Sequence, residues 1–182
     1  MSNRNDKAGR LLALALRHDP SALGLALDAQ GYADVEEVLQ GLARRGKAIS
    51  REDLEHIVAT NDKKRFAFSA DGRKIRASQG HSVQVELGYA PATPPPVLYH
   101  GTATHHVESI QKLGIMRGQR HHVHLSAAEE TALKVGKRHG DPVLLEIDAA
   151  RMQADGHAFY VSDNGVWLVE HVPVTYLKIS SL

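Results

Sequence analysis

The stretch Ala90 to Val97, APATPPPV, decides how the chain is divided. Proline fixes φ and removes a backbone donor, so four prolines among small residues make a stiff, extended run rather than a helix or strand. The run cuts the 182-residue chain nearly in half, and the hydrophobic patterning differs on its two sides. Residues 1–90 and 98–182 therefore read as two lobes joined by a proline-rich linker at 91–97. A chain of this length can bury its core as one large domain or two small ones, and length alone leaves that choice open.

Upstream of the linker the signals are helical. Gly9 to His18 is rich in Leu and Ala and reads as a buried helix, closed by Asp19 and Pro20 because the residue before proline disfavours the helical region. Arg17 and His18 thus fall at a helix end. A second helix is expected to start at Asp34, with Glu37 placed for a capping box, and to end at Gly46. Ser50 opens a third in the same manner, with Asp53 three residues on. Arg65 to Ser69 and Lys74 to Ala77 flank the turn signal Asp71-Gly72 and predict a β-hairpin. Three helices followed by a hairpin suggest a winged-helix arrangement.

Downstream, short apolar strands alternate with helices. Expected strands cover Val97 to His100, His122 to Leu125, Val143 to Ile147, Ala158 to Val161, Val166 to His171 and Tyr176 to Ile179, several with the polar and apolar alternation of half-buried antiparallel pairs. Helices are expected over His105 to Leu113 and Ala127 to His139, the latter opened by Ser126 with Glu129 at the capping-box position. Asp163-Asn164-Gly165 marks a hairpin turn. The whole is an α+β protein.

Composition narrows the chemistry. Hydrophobic residues make up 42% and charged residues 24%, as in ordinary globular proteins. No apolar run approaches the roughly 20 residues that span a bilayer, and the polar start MSNRNDKAGR lacks the core of a signal peptide, so a cytoplasmic location is expected. There is no cysteine, which removes disulfides, thiolate nucleophiles and cysteine zinc sites. A net charge of +1 argues against coating nucleic acid by bulk electrostatics. The stretch 63–76 is the exception: Lys63, Lys64, Arg65, Arg73, Lys74 and Arg76 face only Asp71, a local excess that suits a phosphate-bearing partner.

Taken singly, the polar clusters say little. Arg17 and His18 at a helix C-terminus could fork onto a phosphate and trade a proton, but cations are favoured there by the helix dipole alone. Basic residues at Lys63 to Phe66 and Gly118 to Ser126 are likewise common beside strands. Their order along the chain carries more. LRHDP at Leu16 to Pro20, GLALDAQGY at Gly24 to Tyr32, NDKKRF at Asn61 to Phe66, IRASQGHS at Ile75 to Ser82, LYHGT at Leu98 to Thr102 and HVHLS at His122 to Ser126 follow one another as in RNA 2'-phosphotransferases. NGVWL at Asn164 to Leu168 and Val172-Pro173 extend the match to about nine tenths of the chain. The sequence resembles that family.

The resemblance implies an N-terminal winged-helix-like lobe for RNA and a C-terminal ADP-ribosyltransferase-like lobe of mixed antiparallel sheet with helices. It implies NAD as a consumed co-substrate, which suits the lack of a G-x-G-x-x-G fingerprint. It also implies a two-step removal of an RNA 2'-phosphate that yields nicotinamide and ADP-ribose 1'',2''-cyclic phosphate. The family's catalytic group of three arginines and one histidine falls on Arg17, His18, Arg65 and Arg120. Guanidiniums suit a phosphate whose charge shifts among its equatorial oxygens, because preorganised donors stabilise the transition state. His18 is placed for proton transfer to or from the ribose hydroxyl or the leaving RNA oxygen. Gly118 stands where the family often has methionine, and Arg117 is the alternative to Arg120.

By the same resemblance the NAD-binding residues are His100, Gly101, Thr102, His124, Ser126 and Val166, the small ones allowing close backbone approach. His81 and Ser82 join them from the segment between the lobes. Lys63, Lys64, Arg76 and Gln79 are expected at the RNA phosphates. Twelve histidines invite a metal reading, with His122 and His124 on one strand face, but no third ligand stands at a recognisable spacing; no metal is assigned. The chain is expected to be a monomer with RNA and NAD as its partners and no membrane. Two rivals stand beside this reading. One is an ADP-ribosyltransferase that stops after the first step on a nucleic-acid end or a protein, and the other is a winged-helix DNA-binding regulator.

Overall fold

The computed structural model describes residues 3–61 and 63–180. The chain divides into two compact units, 1–88 and 89–182.

In the first unit, α1 (Asn3–Arg17) begins six residues before the expected start, because the polar stretch ahead of Gly9 is helical although it carries no apolar period. It stops at Arg17, and Asp19 leads into a single 3-10 turn at Pro20–Ala22, as the proline requires. A short strand β1 (Ala33–Asp34) precedes α2 (Val35–Arg44), where the Asp34 carboxylate accepts from Glu36 N and Glu37 N. Helix α3 (Arg51–Ala59) opens with the expected capping box, Ser50 and Asp53 each accepting from the other's backbone N–H. The hairpin forms from β2 (Phe66–Phe68) and β3 (Lys74–Ala77), paired antiparallel with Phe66 opposite Ala77. Strand β1 adds to β3, giving the order β1-β3-β2. Leu12 and Leu16 of α1, Val38 and Leu42 of α2, Leu54 of α3 and Ile75 of β3 are fully buried together. Gly41 matters here, since a Cβ on it would lie 2.5 Å from the Leu23 carbonyl oxygen.

Among the described residues the second unit holds three small antiparallel sheets. Strands β4 (Val97–Ala103) and β7 (Pro142–Asp148) pair over seven positions, and β11 (Leu177–Ser180) joins the other edge of β7. Strand β6 (Val123–Leu125) pairs with β9 (Trp167–Val169), which also takes β8 (Tyr160–Val161). Strand β5 (Ile115–Met116) pairs with β10 (His171–Val172). Helices α4 (Val107–Leu113), α5 (Glu129–Gly136) and α6 (Ala149–Ala154) complete the unit. Its core gathers Leu98, Leu145, Ile147, Met152, Phe159 and Val169.

Two expectations need correcting. The run Val166 to His171 is not one strand, because Trp167–Val169 and His171–Val172 pair with different partners. Ser126 does not cap α5. Its N–H and carbonyl are both bonded to Tyr99 at 2.8 Å, which holds it in a β-bridge, and the N-cap is Ala128. Helix α6 occupies a segment for which no element was expected, with Asp148 accepting from Arg151 N at its start. The proline run makes contacts of its own. Pro91 bridges Tyr160, Ala92 N donates to the Phe159 carbonyl at 2.8 Å and Ala150 N to that of Pro96 at 3.1 Å, so the run is fastened to the second unit.

Candidate active site

In the first unit the candidate residues sit where regular elements end. Arg17 is the last residue of α1, and the carbonyls of a helix's last turn have no intrahelical donor. The Arg17 carbonyl instead accepts from Ser82 N at 2.9 Å and Val83 N at 3.3 Å. Its guanidinium buries Nε and Nη2. His18 follows with an exposed ring whose Nδ1 lies 2.9 Å from Ser82 Oγ.

Arg65 is set by its neighbours in the loop before β2. Asn61 Oδ1 accepts from Arg65 N at 3.2 Å and from its Nη1 at 3.5 Å. Ser78 N donates to the Arg65 carbonyl at 2.8 Å, and Ser78 Oγ to that of Lys64 at 2.9 Å. Lys64 adopts φ 42°, the left-handed region that a non-glycine residue enters only when the turn is fixed around it. Asp62 of the same motif lies outside the described residues.

The basic stretch is not one uniform patch. Lys63 and Lys64 are exposed, but Lys74 is bonded to Asp28 at 2.9 Å, and the Arg76 guanidinium lies 4.9 Å from the Tyr32 ring centroid. Gln79 Oε1 is buried and meets no hydrogen-bond donor among the described residues. His81 is 2% exposed and packs where a side chain on Gly31 would otherwise stand. His81 and Ser82, expected with the NAD-binding group, thus lie in the first unit, Ser82 against the end of α1.

In the second unit, β4 and β6 bring their residues together. Tyr99 and Ser126 exchange backbone hydrogen bonds, and His100 Nδ1 reaches the His124 carbonyl at 3.0 Å. That contact makes Nδ1 the protonated nitrogen of a neutral ring and leaves Nε2 as an acceptor. Burial pushes His100 below the usual histidine range; the bond to His124 opposes this, and Arg120 and His139 reinforce it. His100 is therefore neutral near pH 7. Arg120 Nη1 lies 3.3 Å from His124 Nδ1, whereas Arg117 turns its Nη1 to the His121 carbonyl. Ser126 Oγ accepts from Ala128 N and donates to its carbonyl. Thr102 is 6% exposed, and Val166 closes its turn through N–H to Ser162 Oγ at 3.1 Å and carbonyl to Ser162 N at 2.9 Å.

The Cβ side of Gly101 is closed by α5: a Cβ there would fall 1.7 Å from the Ala132 carbonyl oxygen, and one on Gly136 would fall 2.7 Å from the Thr102 carbonyl. The glycine admits a helix onto the strand. His122 lies outside β6, 5.5 Å from the Tyr160 ring, and burial, with His121 and Arg117, pushes its pKa down.

The two units therefore offer complementary chemistry. The first presents guanidiniums, lysines and an imidazole suited to a phosphate and a mobile proton. The second presents a neutral histidine with a free acceptor edge beside an arginine. The family model described as RNA 2'-phosphotransferase, Tpt1 / KptA family, matches residues 3–171. The chain belongs to that family. Three relatives named "Probable RNA 2'-phosphotransferase" show the extent of the likeness. One, from Pseudomonas aeruginosa (strain UCBPP-PA14), is 54% identical over 174 residues, covering 95% of this chain and 96% of the relative. Another, from Hahella chejuensis, is 53% identical over 179 residues, covering 98% and 96%. A third of the same name, from Agrobacterium fabrum, is 52% identical over 172 residues, 94% of this chain and 92% of its own length. The match takes in residues of both units.

Sequence reasoning quoted Asn61, Ser78 and Tyr32 within motifs but gave them no role. An Asn opening a turn is a recognisable sign of side-chain capping and could have marked Asn61. Ser78 and Tyr32 had no such sign, because their partners follow from the registers β2-β3 and β1-β3.

Proposed function

We propose that this protein is a transferase that removes an internal 2'-phosphate from RNA and passes it to NAD. The first unit then acts as a winged-helix-like RNA lobe and the second as an ADP-ribosyltransferase-like lobe. The observation that carries the reading is that side chains at the catalytic motif positions are held by neighbouring side chains: His18 by Ser82, Arg65 by Asn61 and Arg120 by His124. Side chains fixed before substrate arrives stabilise developing charge without reorganising.

In the first step an oxygen of the RNA 2'-phosphate bonds to C1'' of the nicotinamide ribose, and nicotinamide leaves with the electron pair of the broken C–N bond. In the second, the 2''-hydroxyl of that ribose attacks phosphorus and the RNA 2'-oxygen departs. The products are 2'-hydroxyl RNA and ADP-ribose 1'',2''-cyclic phosphate. Arg17, Arg65 and Arg120 neutralise the phosphoryl oxygens, and His18 moves the proton between the attacking hydroxyl and the departing oxygen. Lys63, Lys64 and Arg76 contact flanking RNA phosphates, and Gln79 supports that surface. His100 offers its Nε2 acceptor edge to NAD, with Thr102, His124, Ser126 and Val166 shaping the neighbouring wall. The residues fit that dinucleotide in donor and acceptor character, and Gly101 serves by seating α5.

The test is incubation with NAD and an RNA carrying one internal 2'-phosphate. Nicotinamide, the cyclic product and 2'-hydroxyl RNA are expected in equal amounts. Nicotinamide without the cyclic product would mean a transferase that ends at the first step. Retention of duplex DNA without NAD turnover would mean a DNA-binding regulator. Among the described residues no helix is long and apolar enough to cross a membrane.

A further inference from the structure

The segment 78–86 has an irregular backbone but fixed contacts. At its start Ser78 holds the carbonyls of Lys64 and Arg65. In its middle the N–H groups of Ser82 and Val83 converge on the Arg17 carbonyl. His81 and Val85 fill the space beside Gly31, where an added Cβ would lie 3.5 and 3.3 Å from them, and Glu86 N donates to the Ala29 carbonyl at 2.7 Å. The strap therefore ties the loop of Arg65 to the helix end of Arg17 and His18. From the strap, Ser82 Oγ lies 2.9 Å from His18 Nδ1.

We propose that Ser82 is a positioning residue whose hydroxyl oxygen accepts from His18 Nδ1–H and so keeps Nε2 as the nitrogen that takes and returns the proton. The inference rests on the reading of His18 as the proton-transfer group. Its physical basis is that an Nδ1–H to Oγ bond is present in both the neutral ring and the imidazolium, so the ring need not turn as Nε2 is protonated. With the opposite polarity, Oγ–H donating to Nδ1, the neutral ring would carry its proton on Nε2 and could not accept one there. Ser82 is exposed, so its own hydroxyl proton can be given to water. The backbone makes the arrangement tight: the residue that holds the ring also donates its N–H to the carbonyl directly before His18. A group acting through a neighbour in this way commonly contributes about 10–100-fold to activity.

The experiment uses the full chain with ¹⁵N-labelled imidazoles, comparing wild type, Ser82→Ala and Ser82→Thr. The alanine variant loses only Oγ and keeps both N–H donors to Arg17, so it should fold. In wild type near neutral pH, the His18 resonances are expected to show Nδ1 protonated and Nε2 bare. In Ser82→Ala they should shift toward a mixture of tautomers, with kcat for 2'-phosphate removal down about tenfold or more and KM for RNA and NAD unchanged. Ser82→Thr, which restores a hydroxyl, should recover both the tautomer and kcat. An Nε2–H tautomer in wild type, an unchanged kcat in the alanine variant, or a threonine variant that recovers neither would overturn the proposal. Should the wild type transfer no phosphate at all, the functional reading falls, while the tautomer measurement still accepts or rejects the contact itself.

Discussion

In the first unit Arg17, His18 and Arg65 stand at the ends of regular elements and are held by polar contacts from an irregular strap and from Asn61, whereas in the second His100, Gly101 and His124 lie within strands fixed by backbone packed directly on backbone. Ser82 reaches across 64 residues to His18, and each such contact is a single hydrogen bond whose net contribution is about 1 kcal/mol. Gly101 and Gly136 instead let α5 approach β4 so closely that no side chain fits. The difference separates two kinds of fragility. A side-chain change on the strap should misplace a catalytic group and leave the fold, while a single methyl group beside β4 should damage the fold itself.

The largest expected effects come from the arginines. Removing one preorganised charge-stabilising donor typically costs about 10²–10³ in rate, so Arg65→Ala and Arg120→Ala should each slow formation of 2'-hydroxyl RNA by roughly that factor with unchanged thermal unfolding. If Arg117→Ala had the larger effect, the motif assignment in the second unit would pass to Arg117. Its guanidinium is directed to the His121 carbonyl rather than to His124, which argues for Arg120.

Next comes a test of the fragility argument. Gly101→Ala would put a methyl carbon 1.7 Å from the Ala132 carbonyl oxygen, a clash of backbone that no rotamer relieves. A loss of about 3 kcal/mol is expected in urea unfolding. Gly41→Ala in the first unit meets a milder 2.5 Å approach to the Leu23 carbonyl, and the better helix propensity of alanine offsets up to about 1 kcal/mol of it. Equal losses from the two variants would erase the contrast between the units.

The same contrast explains what could be read from the sequence. Chemistry local to a few residues was legible: Pro20 ending α1, Asp34 capping α2, Ser50 with Asp53 opening α3 and Asp71-Gly72 turning the hairpin. These features depend on near neighbours, and the first unit is rich in them. Features set by distant partners were not legible. The two residues of β1 are a strand only because β3 lies beside them. Val166 to His171 reads as one strand because an apolar run carries no sign of a change of partner, and Ser126 has the sequence of a helix cap but is held by Tyr99. Of the site, the residue types and their order were legible, and the contacts of Ser82, Asn61 and His124 were not, since they depend on loops meeting in space.

A smaller effect tests local stabilisation in the first unit. Ser50→Ala removes the acceptor for Asp53 N at 3.1 Å and breaks the reciprocal cap of α3. Such caps contribute about 1 kcal/mol, so the midpoint of urea unfolding should fall by that amount with rates of phosphate removal unaltered. A drop in kcat would mean that α3 shapes the site more directly than its position before the Asn61 loop suggests.

The smallest effect concerns acid, and it sharpens the comparison by placing the two units in different pH windows. His100 has its pKa lowered from the ordinary 6.5, chiefly by burial. The unfolded chain then binds a proton at this site before the folded chain does, so stability falls as pH drops below about 6.5 and levels off once the folded ring also protonates. Asp28 loses stability in the same direction but in a lower pH window. Burial pulls its pKa up, but the hydrogen bond and charge of Lys74 and the N–H groups of Tyr32 and Gln30 together hold it below 3.8. Its contribution is present above that value and is lost only as pH falls through the lowered one. Amide exchange of Tyr99 and Ser126, which lock β4 to β6, should therefore quicken as pH falls below about 6.5, while Tyr32, donating to Asp28 Oδ1, stays protected down to the carboxylate range after correction for intrinsic rates. His100→Asn, which keeps a donor toward the His124 carbonyl and does not titrate, should remove the acid response at Tyr99 and Ser126. If the response persists in that variant, its source is another histidine of the unit, and His122, also lowered by burial, is the next to replace.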